Sequence, residues 1–148
     1  MEYSLLCMNE VLADLPLDIR RKYLSQIRDL YRQEGWWSDQ LDTLERLVRI
    51  ISGSCYFVIA VNTLVGVLGM GRAICDGVSD AYLQDITVRS EYRKQGVASH
   101  IVTTLISRLE ANGIIWIGLI AKDGASDLYR HQGFSEIHEA TPMLKIKT

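Results

Sequence analysis

Apolar residues recur at helical spacing through residues 18–33, where Ile19, Tyr23, Ile27, Leu30 and Tyr31 fall on one face. Gly35 ends this predicted helix, and Gly35-Trp36-Trp37 starts a loop. Ser38 can cap a second helix in which Leu41, Leu44, Leu47, Val48 and Ile51 share a face, closed by Gly53. The pattern then changes to strands. Residues 55–61 are apolar and β-branched, and Asn62-Thr63 is a plausible hairpin turn. Residues 64–74 read as a long strand in which Gly66, Gly69 and Gly71 signal bulges or close backbone approach. After the Asp76-Gly77 turn, 81–88 is the next strand. An apolar helix follows at 97–112, with Gly113 at its C-terminal cap. Residues 114–121 read as a buried strand and 125–132 as a short helix ended by Gly133, leaving 134–147 for one or two closing strands.

This order predicts a mixed α/β (α+β) fold: a mainly antiparallel sheet with helices on both faces. The helical crossover at 97–112 makes strands 81–88 and 114–121 parallel neighbours. No repeat, low-complexity stretch or Pro-rich linker divides the chain, so 1–148 reads as one domain.

Composition narrows the picture. At 48 % hydrophobic and 23 % charged residues, the chain matches an ordinary globular protein. The formal net charge of −2 gives no global field for nucleic acid or an anionic membrane, so an anionic ligand needs a local site. The N-terminus carries acidic Glu2 and does not read as a signal peptide. No apolar run approaches the ~18 residues of a membrane span. The three cysteines, Cys7, Cys55 and Cys75, are widely spaced and form no CxxC, which argues against zinc and against a disulfide framework. The expectation is buried packing for Cys55 and Cys75 and a cytoplasmic location. His100, His131 and His138 have no metal-ligand company.

Residues 88–99 carry the most chemistry. A strand ends at Val88, a short basic loop follows, and a helix starts at a small-residue turn. Helix N-termini present unpaired N–H groups and partial positive charge. Gly96 and Ala98 let a phosphate approach the backbone, while Arg93 and Lys94 add charge. The physics points to a pyrophosphate site at Arg93, Lys94, Gln95, Gly96, Val97, Ala98 and Ser99. The pattern is neither a Walker A motif nor GxGxxG. An ordinary helix preceded by a basic loop has the same local look.

The surroundings make the signal more specific. Tyr82-Leu83-Gln84-Asp85-Ile86-Thr87-Val88, followed by Tyr92-Arg93-Lys94-Gln95-Gly96-Val97-Ala98, resembles motif A of the GNAT N-acetyltransferases. Downstream, Asp127-Leu128-Tyr129-Arg130-His131-Gln132-Gly133-Phe134 resembles motif B, a Tyr followed four residues later by Gly-Phe. The resemblance covers nearly the whole chain through the order of elements. It departs at Ala98, where the family more often has glycine.

The resemblance implies acetyl-CoA as donor. Its pantetheine arm lies in an opening between the two parallel strands and pairs with backbone at Ile86, Thr87 and Val88, as an added strand pairs with a free sheet edge. Tyr129 matches the tyrosine that, in many members, protonates the departing thiolate, a role suited to a nearby phenol; the plain alternative is a ring packed on the core. Gln84 occupies a position where some relatives carry Glu, but it cannot accept a proton. Asp85 can, as base, through water, or else as a structural hydrogen-bond acceptor. Alternation puts Asp85 on the side of Leu83 and Thr87, opposite Tyr82 and Gln84, unless a bulge re-aims one of them.

On the acceptor side, Trp36 and Trp37 border the pocket in this fold and offer an apolar or cation-contacting wall. Their alternative is to plug the edge of the sheet. Tyr82 and Gln84 complete the expected acceptor contacts. Asp76 and Asp80 are candidates for binding an ammonium, with Asp76 before Gly77 favoured as a turn residue.

The function expected is acetyl-CoA-dependent transfer of an acetyl group to a primary amine, with short loops that favour a small molecule, in a ternary complex without an acyl-enzyme. The competing reading is a catalytically idle acyl-CoA-binding sensor or interaction module. No nucleic acid or membrane partner is expected, and exposed aromatics are compatible with a homodimer.

Overall fold

The computed structural model describes residues 1–147. It contains strands β1 (Ser4–Cys7), β2 (Tyr56–Asn62), β3 (Gly66–Cys75), β4 (Asp80–Val88) and β5 (Trp116–Gly118). The helices are α1 (Met8–Val11), α2 (Leu17–Gln33), α3 (Leu44–Gly53), α4 (Val97–Ala111) and α5 (Ser126–Arg130). The sheet order is β1-β2-β3-β4-β5, antiparallel except for the β4–β5 pair. This is the mixed sheet that the order of elements predicts.

Alternation along β2 divides the core into two layers. Val58 and Ala60 face α4, packing with Ile101, Val102, Leu105 and Leu109. Phe57, Ile59 and Val61 face the opposite side, against Leu24, Ile27, Leu30 and Tyr31 of α2 and Leu47 and Ile51 of α3. Each fully buried Leu or Ile contributes ~1.5–3 kcal/mol, so the two apolar faces clamp the sheet between helices. The close seating of α4 depends on Gly71, where an added Cβ would lie 2.5 Å from Ile86 and 2.8 Å from Ile101.

Several expectations are corrected. The second helix starts at Leu44 rather than near Ser38, because Thr43 supplies the cap: its Oγ1 accepts from the Arg46 N–H at 3.0 Å. Leu41 is consequently exposed on a turn closed by the Ser38 carbonyl. β5 is a short strand and not a long buried one, with Ile115 and Ile120 exposed on either side of it. No closing strand forms after Phe134 among the described residues. The first eleven residues supply β1 and α1, too short for a periodic signal. Finally, Cys55 and Cys75 are joined in a disulfide, with Cα atoms 5.8 Å apart. The β2–β3 hairpin brings their two strand ends together, a proximity that their wide sequence spacing conceals. Cys7 alone is a free, buried thiol.

Candidate functional site

β4 and β5 pair only at Asp80–Trp116, Ala81–Ile117 and Tyr82–Gly118. Beyond Tyr82 the strands part, leaving one edge of β4 from Leu83 to Val88 without a strand partner. A cleft of about 970 Å³ occupies this opening. Its walls include Ile86, Thr87 and Val88.

The parting coincides with a bulge. Met70 pairs with Thr87 but Arg72 pairs with Gln84, so β4 carries one more residue than β3 across this step. Asp85 absorbs the extra length at φ 58°, a left-handed conformation that aspartate tolerates better than most residues. The bulge also re-aims its side chain. Asp85 and Gln84 both reach Arg72 and so lie on the same side, correcting the simple alternation. The Arg72 Nε donates to Asp85 Oδ2 at 2.7 Å, and the Tyr31 hydroxyl donates to the same oxygen at 2.7 Å. Burial, and then the Asp85 charge, hold the Tyr31 phenol far above its ordinary pKa.

At one end of the cleft, the chain turns from β4 into α4. Gly96 takes φ 83° as N-cap, and Lys94 is also left-handed at φ 59°. The first-turn N–H groups of Val97, Ala98 and Ser99 have no helical carbonyl to pair with. These three residues, with Arg93, Lys94 and Gly96, line the cleft. Gln95 does not line it; its side chain bonds the Glu91 carbonyl at 3.4 Å. The turn therefore combines exposed cations, free N–H groups and the positive end of a 15-residue helix.

The end of α2 forms another wall. Gly35 at φ 73° allows a Schellman ending, in which Trp36 N–H bonds Tyr31 O at 2.9 Å and Gly35 N–H bonds Arg32 O at 3.0 Å. This fixes Glu34 as the last helical turn's cap and Trp36 just beyond it, edge-on to Tyr31 with ring centroids 6.3 Å apart. Both line the cleft, as do Tyr82 and Gln84. Trp37 does not line the cleft: it packs, partly buried, against the α2–α3 layer while its indole N–H donates to Asp39 at 3.0 Å. Asp76 is a turn residue, accepting N–H bonds from Val78, Ser79 and Asp80 that lower its carboxyl pKa.

Tyr129 comes from α5 and reaches the cleft from the β5 side. Its ring meets Phe134 edge-on at 5.9 Å, which explains the Gly-Phe that follows the tyrosine. Burial raises its phenol pKa, keeping the proton on the oxygen. No side-chain hydrogen bond ties up that hydroxyl among the described residues. Tyr129 and Tyr82 also border a second cavity of about 630 Å³ beneath the C-terminal segment.

Sequence reasoning missed Glu34 and Lys122. The Glu34 side chain is only 8 % exposed, yet it meets Arg93 at 3.1 Å and Lys122 at 2.9 Å. These partners are 59 and 88 residues away, so no local pattern signals the cluster.

A sequence model of the acetyltransferase (GNAT) domain matches residues 52–136. No curated protein matches the sequence. Among solved structures, a Staphylococcus aureus protein described as a probable acetyltransferase superposes with a TM-score of 0.75 at 21 % identity, covering 99 % of this chain and all of its own. Glucosamine-6-phosphate N-acetyltransferase from Arabidopsis thaliana gives 0.72 at 12 % identity, covering 99 % of each chain. A predicted acetyltransferase from Clostridium acetobutylicum, solved with acetyl-CoA, gives 0.66 at 15 % identity and covers 97 % of this chain and 95 % of its own.

Proposed function

Because the chain belongs to the GNAT acetyltransferase family, as its acetyltransferase domain shows, we propose that it moves the acetyl group of acetyl-CoA directly to a primary amine of a small molecule. The observation that carries this reading is the continuity of the cleft: an unpaired β4 edge, a cationic helix N-terminus and a buried tyrosine line one space. The residues fit the donor's parts. Backbone at Ile86, Thr87 and Val88 suits the amide-bearing pantetheine arm, and Arg93, Lys94 and the N–H groups of Val97, Ala98 and Ser99 suit the pyrophosphate.

Acetyl-CoA supplies a thioester. The amine nitrogen attacks its carbonyl carbon, forming a C–N bond, and the C–S bond breaks. Tyr129 gives its proton to the departing sulfur. Asp85 accepts the proton lost by the amine, directly or through water, held in place by Arg72 and Tyr31. Trp36, Tyr82 and Gln84 bound the acceptor, and holding both reactants in one cleft is itself worth several kcal/mol of barrier.

Thermal stability tests the reading. A ligand at about 100 times its dissociation constant stabilises by ~2.7 kcal/mol, raising the midpoint of a domain this size by several degrees. Acetyl-CoA and CoA are expected to give this shift and NADH is not. The absence of a shift with both CoA compounds overturns the proposal.

A further inference from the structure

The Glu34 carboxylate sits where the acceptor wall, the bulged strand and the anion-binding turn meet. Thr87 Oγ1 donates to its Oε1 at 2.6 Å, and Arg93 donates to the same oxygen at 3.1 Å. Lys122, from the loop between β5 and α5, reaches its Oε2 at 2.9 Å. Lys122 and Glu34 both line the cleft, one from the β5–α5 loop and one from the end of α2, so their ion pair links two of the elements that wall it. Burial alone raises a carboxyl pKa, but the Thr87, Lys122 and Gln33 donors more than offset it, leaving Glu34 below its ordinary value.

These contacts do not match in permanence. Beneath these partners the Glu34 side chain is 8 % exposed and is held by the Thr87 bond, whereas the Arg93 and Lys122 side chains are 50 % and 72 % exposed. The two cations can leave, and the carboxylate cannot. A diphosphate at the α4 N-terminus competes for Arg93 with two negative charges, and a chain entering along β4 parts Lys122 from Glu34. What remains is a carboxylate held by Thr87 that lines the same cleft as Trp36 and has lost both cations. A carboxylate stripped of both cations has its charge uncompensated within the cleft, so the site then favours another cation. An ammonium satisfies both the carboxylate and the aromatic face.

We infer that Glu34 is the acceptor's ammonium anchor, covered by Arg93 and Lys122 until the donor draws them away. The inference rests on the acetyl-transfer reading above and adds to it the residue that holds the acceptor's cation. Asp85 is less suited to this part, since Arg72 already neutralises it and is itself mostly buried.

The signs of two affinities test it. Glu34→Gln keeps the Thr87 contact but removes the charge that competes for Arg93 and Lys122. CoA is therefore expected to bind Glu34→Gln roughly two- to fivefold more tightly than the unmutated protein, measured by calorimetry at low salt. Lys122→Met is expected to tighten CoA in the unmutated background and to add nothing to Glu34→Gln. In the CoA-saturated protein, phenethylammonium is expected to raise the thermal midpoint, and to do so neither without CoA nor in Glu34→Gln. If Glu34→Gln binds CoA equally or more weakly, or if phenethylammonium gives no CoA-dependent shift, the inference is overturned. Failure of the unmutated protein to bind CoA overturns instead the reading beneath it.

Discussion

The Arg72 guanidinium and the Asp85 carboxylate meet at 2.7 Å across the β3–β4 bulge, with side chains only 17 % and 16 % exposed. The pair fixes the residue whose left-handed conformation carries the β3–β4 bulge. Removing Arg72 leaves Asp85 half-buried without its cation, so Arg72→Met is expected to lower stability by about 2–3 kcal/mol. Asp85→Asn keeps a residue that accepts positive φ and is expected to cost less than Asp85→Ala. Urea unfolding of the three variants checks this order.

Tyr129→Phe retains the ring against Phe134 and removes only the proton donor. Turnover is expected to fall by about 10²-fold or more, with CoA affinity unchanged. Equal loss in CoA binding and turnover would reduce Tyr129 to a packing role.

Stability is expected to decline at alkaline pH. Burial raises the phenol pKa values of Tyr31 and Tyr129 in the folded chain, whereas the unfolded chain ionises near pH 10. The folded state therefore binds more protons once pH exceeds about 10, and unfolding becomes favoured as pH rises further. Below that point the contribution is fully present. Denaturation at pH 8–11 is expected to show this slope, and Tyr31→Phe to reduce it.

Local chemistry was legible where it lies in one stretch of chain. The cationic turn at Arg93–Ser99 reads from its sequence, and the structure gives it a long helix and a cleft. The α2 periodicity placed its helix within a residue of the observed start. Chemistry made by convergence was not legible. Glu34 looks like any polar residue at a helix end until the Gly35 turn aims it at Arg93 and Lys122. Asp85 alternates correctly on paper, but a single inserted residue moves it to the side of Gln84. Trp36 and Trp37 are adjacent and chemically alike, and only the α2 ending decides which faces the cleft. β5 was overextended because its β-branched run continues past the point where β4 stops pairing with it.

The three-pair contact between β4 and β5 has a consequence for amide exchange. β2, β3 and β4 follow one another as hairpins, while β5 returns only after the α4 crossover. Such a non-local pairing closes a larger loop for fewer hydrogen bonds, so β5 belongs among the segments that open at least free energy. A donor spanning the gap adds hydrogen bonds to that seam. The protection of Trp116–Gly118 against solvent deuterium thereby becomes a property that the chain shares with its ligand.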